Sequence, residues 1–226
     1  MTGSIRSVVA EAIGTALLLA IIVGSGIMGE RLAGGNVAIA LLANSLATGL
    51  GLTALILVFA PTSGAHFNPL VTLMAAIDRT LRWRAVPGYL AAQVAGALLG
   101  VLAAHAMFGE PLFELSSKLR TGPAQWWSEV VATFGLILVI ARCAGHGFRT
   151  VAPAVGAYIA AAYWFTASTS FANPAVTLAR TLTDTFAGVR PQDVPGFIGA
   201  QLLGAVSAAA IARWLARTGG PPGAES

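Results

Sequence analysis

Two stretches of this chain carry the side chains best placed to do chemistry. Asn68-Pro69-Leu70-Val71-Thr72-Leu73 returns as Asn173-Pro174-Ala175-Val176-Thr177-Leu178. An asparagine directly before a helix caps it with its side-chain oxygen. A proline at the first helical position gives up no hydrogen bond, because that N–H has no partner inside the helix. The capping amide keeps its N–H₂ group free to donate outward. Two such donors at one place would hold an acceptor oxygen without making or breaking a covalent bond. The rest of the chain offers little for covalent chemistry. Its three histidines and single cysteine, Cys143, are scattered. No nucleophile–base set appears, so we expect no catalytic residues, no metal, no cofactor and no enzymatic activity.

The elements that must position these residues follow from composition. The chain has 226 residues, 56% hydrophobic and 10% charged. A soluble domain carries about 25% charged residues, so this chain reads as an all-α integral membrane protein in a lipid bilayer. The net charge of +4 needs no nucleic-acid partner, because basic residues gather beside membrane spans. Six long apolar segments are expected to span: 7–28, 37–60, 86–108, 124–141, 150–166 and 194–215. The first is too long for a cleaved signal segment and carries Glu11, so it is read as a retained span. Two further segments, 68–77 and 173–182, are only about 15 Å long as helices. That is half the ~30 Å hydrocarbon core. Each half-span opens on one of the Asn-Pro pairs.

The two halves repeat. Glu11-Ala12-Ile13-Gly14-Thr15 matches Glu129-Val130-Val131-Ala132-Thr133, and the stretch from Gly88 through Gln93 to Ala97 matches that from Gly196 through Gln201 to Ala205. An odd number of spans per half turns the second half upside down, giving an inverted repeat. The organisation is therefore one domain over residues 1–226, with halves of about 5–108 and 124–217 and a disordered tail at 218–226. Placing both termini in the cytoplasm puts eight Lys or Arg inside and five outside, the expected bias.

A non-helical loop at membrane depth survives only where protein buries it or water lines it. Two half-spans entering from opposite sides would meet at the midplane with facing N-termini. Each terminus carries about +0.5 charge. Together they oppose cations and hydronium and leave a path for neutral molecules that accept hydrogen bonds. Glu11 and Glu129 occupy equivalent places and are expected to accept hydrogen bonds from the irregular loops. His66 is expected to bind its own loop and line the inner vestibule. Trp126 and Trp127 read as interfacial anchors.

With these features the chain resembles the aquaporin/aquaglyceroporin (major intrinsic protein) family over about residues 5–217. The stretch 63–72, which contains His66-Phe67-Asn68-Pro69-Leu70 and ends on Val71-Thr72, looks like the family's first signature, and 173–180 like its second. The resemblance implies six transmembrane helices plus two re-entrant half-helices, a pore in every subunit, a homotetramer, and passive flow of small neutral solutes without a cofactor. It places Asn68, Pro69, Leu70, Asn173, Pro174 and Ala175 at the central constriction. Leu70 stands where the family usually has Ala, which is expected to narrow or dry the centre. Val176 stands where most members carry a filter Arg. Arg180 is read as one helical turn deeper and is not taken to substitute. Counting from the asparagines, the resemblance puts the remaining filter positions at Thr48 (Leu50 if the register slips), Ala161 and Ser170. None is a large aromatic, so the filter is expected to be roomy.

The run from Tyr163 to Thr181 is similar to bacterial channels associated with arsenic resistance. The expected activity is passage of metalloid hydroxides such as arsenite, with glycerol and water, across a bacterial inner membrane. The alternatives are a mainly water-selective channel and, from another class, a gradient-driven secondary transporter using Glu11 or Glu129.

Overall fold

The computed structural model describes residues 4–217. The expected tail at 218–226 lies outside the described residues. Among the described residues eight α-helices follow one another: α1 Ile5–Leu32, α2 Val37–Ser63, α3 Pro69–Ile77, α4 Val86–Phe108, α5 Pro123–Cys143, α6 Phe148–Phe165, α7 Pro174–Ala179 and α8 Val194–Arg217. Their starts are written locally. Ser4 caps α1 and Asn36 caps α2 through side-chain oxygens. Proline opens α3, α5 and α7. Gly64 and Gly109 end α2 and α4 at φ +92° and +69°, where a Cβ would be strained.

Five of these helices are long and apolar enough to cross a membrane by length and composition. The sixth expected span, α6, is shorter. Its 18 residues reach about 27 Å, and it carries Arg149, Tyr158 and Tyr163. It completes the six-helix set by packing between α2 and α5. The second half-span also departs from expectation. α7 makes only six α-helical residues before tightening into a 3₁₀ turn at Arg180–Leu182.

The packing repeats in pairs. α1 lies against α4 and α2, as α5 lies against α8 and α6. α2 and α6 join the halves, and α3 and α7 meet each other between them. Gly96 and Gly100 bring α4 onto α1 so closely that a Cβ would run into the Ala12 and Ala16 carbonyl oxygens. Gly204 does the same for α8 against Val130 of α5. Lipid-embedded helices gain little from apolar burial against one another, so close backbone approach carries the packing.

The outward helix faces are apolar, and several polar side chains are buried among the apolar core. Leu50, Val58, Leu99, Leu203 and Val206 face outward, while Glu11, Gln93, Glu129 and Gln201 are completely buried. Trp127 and, in part, Trp126 are exposed at the start of α5. A water-soluble protein rarely buries such carboxylates fully or exposes so many large apolar side chains.

Candidate functional site

The two Asn-Pro loops run to the middle of the molecule and are tied to each other there. Asn68 accepts from the Leu70 N–H at 2.9 Å through Oδ1 and donates through Nδ2 to the Ala172 carbonyl at 2.8 Å. Asn173 accepts from the Ala175 and Val176 N–H groups and donates to the Phe67 carbonyl at 2.7 Å. Each amide thus uses one N–H to hold the opposite loop. Its second N–H remains to face the cavity that both residues line.

Beyond Gly64, the loops reach this position through left-handed backbone built from residues other than glycine. Ala65 and Phe67 sit at φ +51° and +50°, and Ser170 and Ala172 at +51° and +47°. Such left-handed residues cost free energy and persist only where surrounding contacts over-determine them. Two carboxylates supply those contacts. Glu11 accepts from Ser63 Oγ at 2.6 Å, the His66 N–H at 2.9 Å, the Phe67 N–H at 2.7 Å and Gln93 Nε2 at 2.8 Å. Glu129 accepts from Ser168 Oγ at 2.6 Å, the Phe171 N–H at 2.9 Å, the Ala172 N–H at 2.8 Å and Gln201 Nε2 at 2.7 Å. Gln93 and Gln201 then donate to Thr72 and Thr177, whose hydroxyls donate to the Asn68 and Asn173 carbonyls. Every member of one network has its counterpart in the other. Each carboxylate is thus met by four donors, two on each oxygen.

A cavity of about 620 Å³ runs past this pair. One end opens at the face bearing the start of α1 and the end of α8, beside Asp78, Arg142 and Arg213. His66 lines it before the centre, its Nδ1 3.1 Å from Thr72 Oγ1. Beyond Asn68 and Asn173 the wall is formed by Thr48, Tyr163, Ser170, Val176 and Arg180.

The structure sorts the sequence expectations for this outer region. Thr48, Ser170 and Val176 are buried and line the cavity. Leu50 is 71% exposed on the opposite face of α2. Ala161 is exposed on the outer face of α6. The α6 side chains that line the cavity are Phe148, Val151, Val155, Ile159 and Tyr163, the last four on one helical face at spacings of four. Counting without gaps therefore missed the α6 register by two residues. The consequence is chemical: Tyr163 donates to Thr48 Oγ1 at 3.3 Å, so an aromatic enters a wall expected to hold only small residues. Leu70 is corrected too. It is 1% exposed and packs with Ile137, Ala205 and Ala208 between α5 and α8, not toward the cavity. Pro69, Pro174 and Ala175 are buried at the starts of α3 and α7, where they set the helices rather than line the cavity.

Arg180 is the residue that the sequence underrated. α7 runs from the centre outward, so Arg180 lies one turn nearer the mouth than Val176, not deeper. It is 2% exposed, lines the cavity and stacks its guanidinium 3.4 Å from the Phe171 ring centre. Its Nε donates to the Ala187 carbonyl. Arg120 approaches the same ring at 5.2 Å, held by the Gly188 and Ser168 carbonyls. Nearer solvent, Lys118 donates to the Phe186 carbonyl at 2.8 Å and lies over the Phe186 ring. Partial burial, then repulsion from Arg120, pulls the Lys118 ammonium down to about 8.

Comparison with known proteins agrees with this geometry. The chain matches the family model described as Major intrinsic protein over residues 1–146 and 141–221. It is 54% identical over 216 residues to aquaglyceroporin AqpS of Rhizobium meliloti (strain 1021), covering 96% of this chain and 92% of that protein. It is 33% identical over 184 residues to aquaporin NIP2-3 of Zea mays, covering 77% of this chain and 59% of the relative. The X-ray structure of the aquaglyceroporin from Plasmodium falciparum superposes with a TM-score of 0.74 at 20% identity, covering 95% and 96% of the two chains, a likeness of fold. Two half-helices tied amide to loop, matched carboxylate networks and a family model covering nearly the whole chain place this protein in the major intrinsic protein family.

Proposed function

We propose that the chain is a passive channel for small uncharged solutes, with metalloid hydroxides such as arsenite, glycerol and water as its permeants. The observation that carries this reading is the pair of inward N–H donors on Asn68 and Asn173 in one continuous cavity. A permeant exchanging hydrogen bonds with water would find two replacements at the centre. A cation would meet two helix N-termini there, whose partial positive charge opposes it. The similarity to an aquaglyceroporin supports solutes larger than water. In this reading Thr48, Tyr163, Ser170 and Val176 shape the outer filter, and residues 5–108 and 124–217 act as the halves of one channel domain.

The Tyr163–Thr48 contact favours a second reading, a mainly water-selective pore, because it narrows the outer wall. Coupled transport through Glu11 or Glu129 fits poorly, since each carboxylate is committed to four donors. Arg6, Arg79, Arg82, Arg84, Arg142, Arg149 and Arg213 gather toward the face bearing the start of α1 and the end of α8, which supports cytoplasmic termini in a bacterial inner membrane. The outward apolar faces suit a homotetramer in lipid. Proteoliposome uptake of arsenite, glycerol and water, against empty liposomes, tests the function. Non-saturating entry of all three, indifferent to proton and sodium gradients, is expected. Fast water alone selects the second reading, and loss of uptake on dissipating a gradient selects a transporter.

A further inference from the structure

The outer end of the cavity holds two buried polar atoms with no hydrogen-bond partner among the described residues: Arg180 Nη1 and Ser170 Oγ. Both residues line the same cavity. Buried polar groups are ordinarily hydrogen-bonded, and a buried cation left short of acceptors is costly. Among the described residues, neither Arg180 nor Arg120 enters an ion pair. The nearby carboxylate, Glu129, is occupied by its loop. The guanidinium is nevertheless held firmly, stacked on Phe171 and anchored through Nε to Ala187. A rigid fork with a spare N–H, lining the same cavity as a hydroxyl that donates or accepts, is suited to an oxygen acceptor.

We propose that Arg180 and Ser170 form an acceptor-oxygen subsite at the outer end of the pathway, which small monoanions such as a carboxylate occupy most strongly. Arg180 then supplies, one turn farther out, the fixed cation that Val176 does not. Charge-assisted hydrogen bonds are roughly twice as strong as neutral ones, so an anion displaces water there more readily than a polyol does. The same guanidinium, in a water-poor setting, turns inorganic cations away from the mouth. The subsite rests on reading the cavity as a solute pathway, and it gives Ser170 a second role as a ligand.

Formate is a suitable probe, with bulky gluconate at equal ionic strength as its control. Formate is expected to raise the thermal midpoint of the detergent-solubilised protein and to inhibit glycerol entry into proteoliposomes, whereas gluconate does neither. Losing one charge-assisted bond should weaken the formate response of Arg180→Gln and Ser170→Ala roughly tenfold, with Arg180→Lys between them and wild type. Arg180→Gln is also expected to raise potassium leak severalfold, and moving the charge back in a Val176→Arg, Arg180→Gln double variant should suppress that leak. If Arg180→Gln fails to fold, Ser170→Ala and Arg180→Lys still read the subsite. Identical wild-type responses to formate and gluconate would overturn the proposal, leaving a hydrated structural arginine. Formate stabilisation that depends on Arg180, in a protein passing no glycerol, would uphold the subsite and sink the channel reading instead.

Discussion

The Tyr163 hydroxyl donates to Thr48 Oγ1 across 3.3 Å, joining α6 to α2 at the outer end of the cavity. Both residues are almost completely buried, so the contact forms part of the wall rather than the rim. Replacing Tyr163 with Ala should therefore widen this section. Glycerol permeability is expected to rise severalfold relative to water in stopped-flow vesicle assays. Tyr163→Phe, which keeps the ring and loses only the hydroxyl, should leave the ratio nearly unchanged. An unchanged ratio in Tyr163→Ala would place the limiting section elsewhere.

Val176 lines the cavity between the centre and Arg180. An arginine there would insert a second cation and a longer side chain into the same wall. Val176→Arg should cut arsenite and glycerol entry far more than water entry. Equal losses of all three permeants would remove Val176 from the filter.

Glu129 takes two backbone N–H groups from a loop with left-handed residues at Ser170 and Ala172. Substituting Gln turns one acceptor oxygen into a donor facing donors. Each orphaned buried donor costs about 1–3 kcal/mol, so Glu129→Gln should lower the thermal midpoint and the folded yield sharply. Glu11→Gln should do the same by symmetry. A well-folded Glu129→Gln channel with normal glycerol flux would show that the carboxylate does not hold the loop.

Lys118 sits beside Arg120 with its ammonium pulled down to about 8, from an ordinary value of 10.5. The unfolded chain therefore binds more protons at this site between about pH 8 and 10.5, and stability rises with pH across that window. Below pH 8 the cost of the buried charge is present in full. The thermal midpoint of Lys118→Met minus that of wild type should be positive at pH 7 and shrink toward pH 10. A difference independent of pH would mean the ammonium is not perturbed.

Much of the fold was legible in residue order, because bilayer physics leaves few options. Apolar runs of spanning length, two half-length runs opening on Asn-Pro, and paired Glu and Gln anchors implied six spans, two re-entrant helices and an inverted repeat. The α4 bounds agree to the residue. Caps and prolines act on their immediate neighbours, so their effects are visible locally. The polarity of Glu11 and Glu129 was visible as well, since a carboxylate inside an apolar run needs donors.

What only the tertiary structure decided is which side chains share the cavity. That depends on helix rotation, and a two-residue slip in an α-helix turns a side chain through more than half a circle. Counting from the asparagines reached Thr48 on α2 and Ser170 in the second loop, but arrived at outward-facing Ala161 instead of Tyr163 on α6. Leu70 looked pore-facing from its motif, yet helix direction turns it into the packing between α5 and α8. The orientation of α7 reversed the reading of Arg180. A half-helix running from the centre to the surface carries its later residues toward the mouth, so the arginine read as too deep stands at the outer wall. Its ring partner Phe171 and carbonyl partner Ala187 come from loops on either side of that helix. Only folding brings them together.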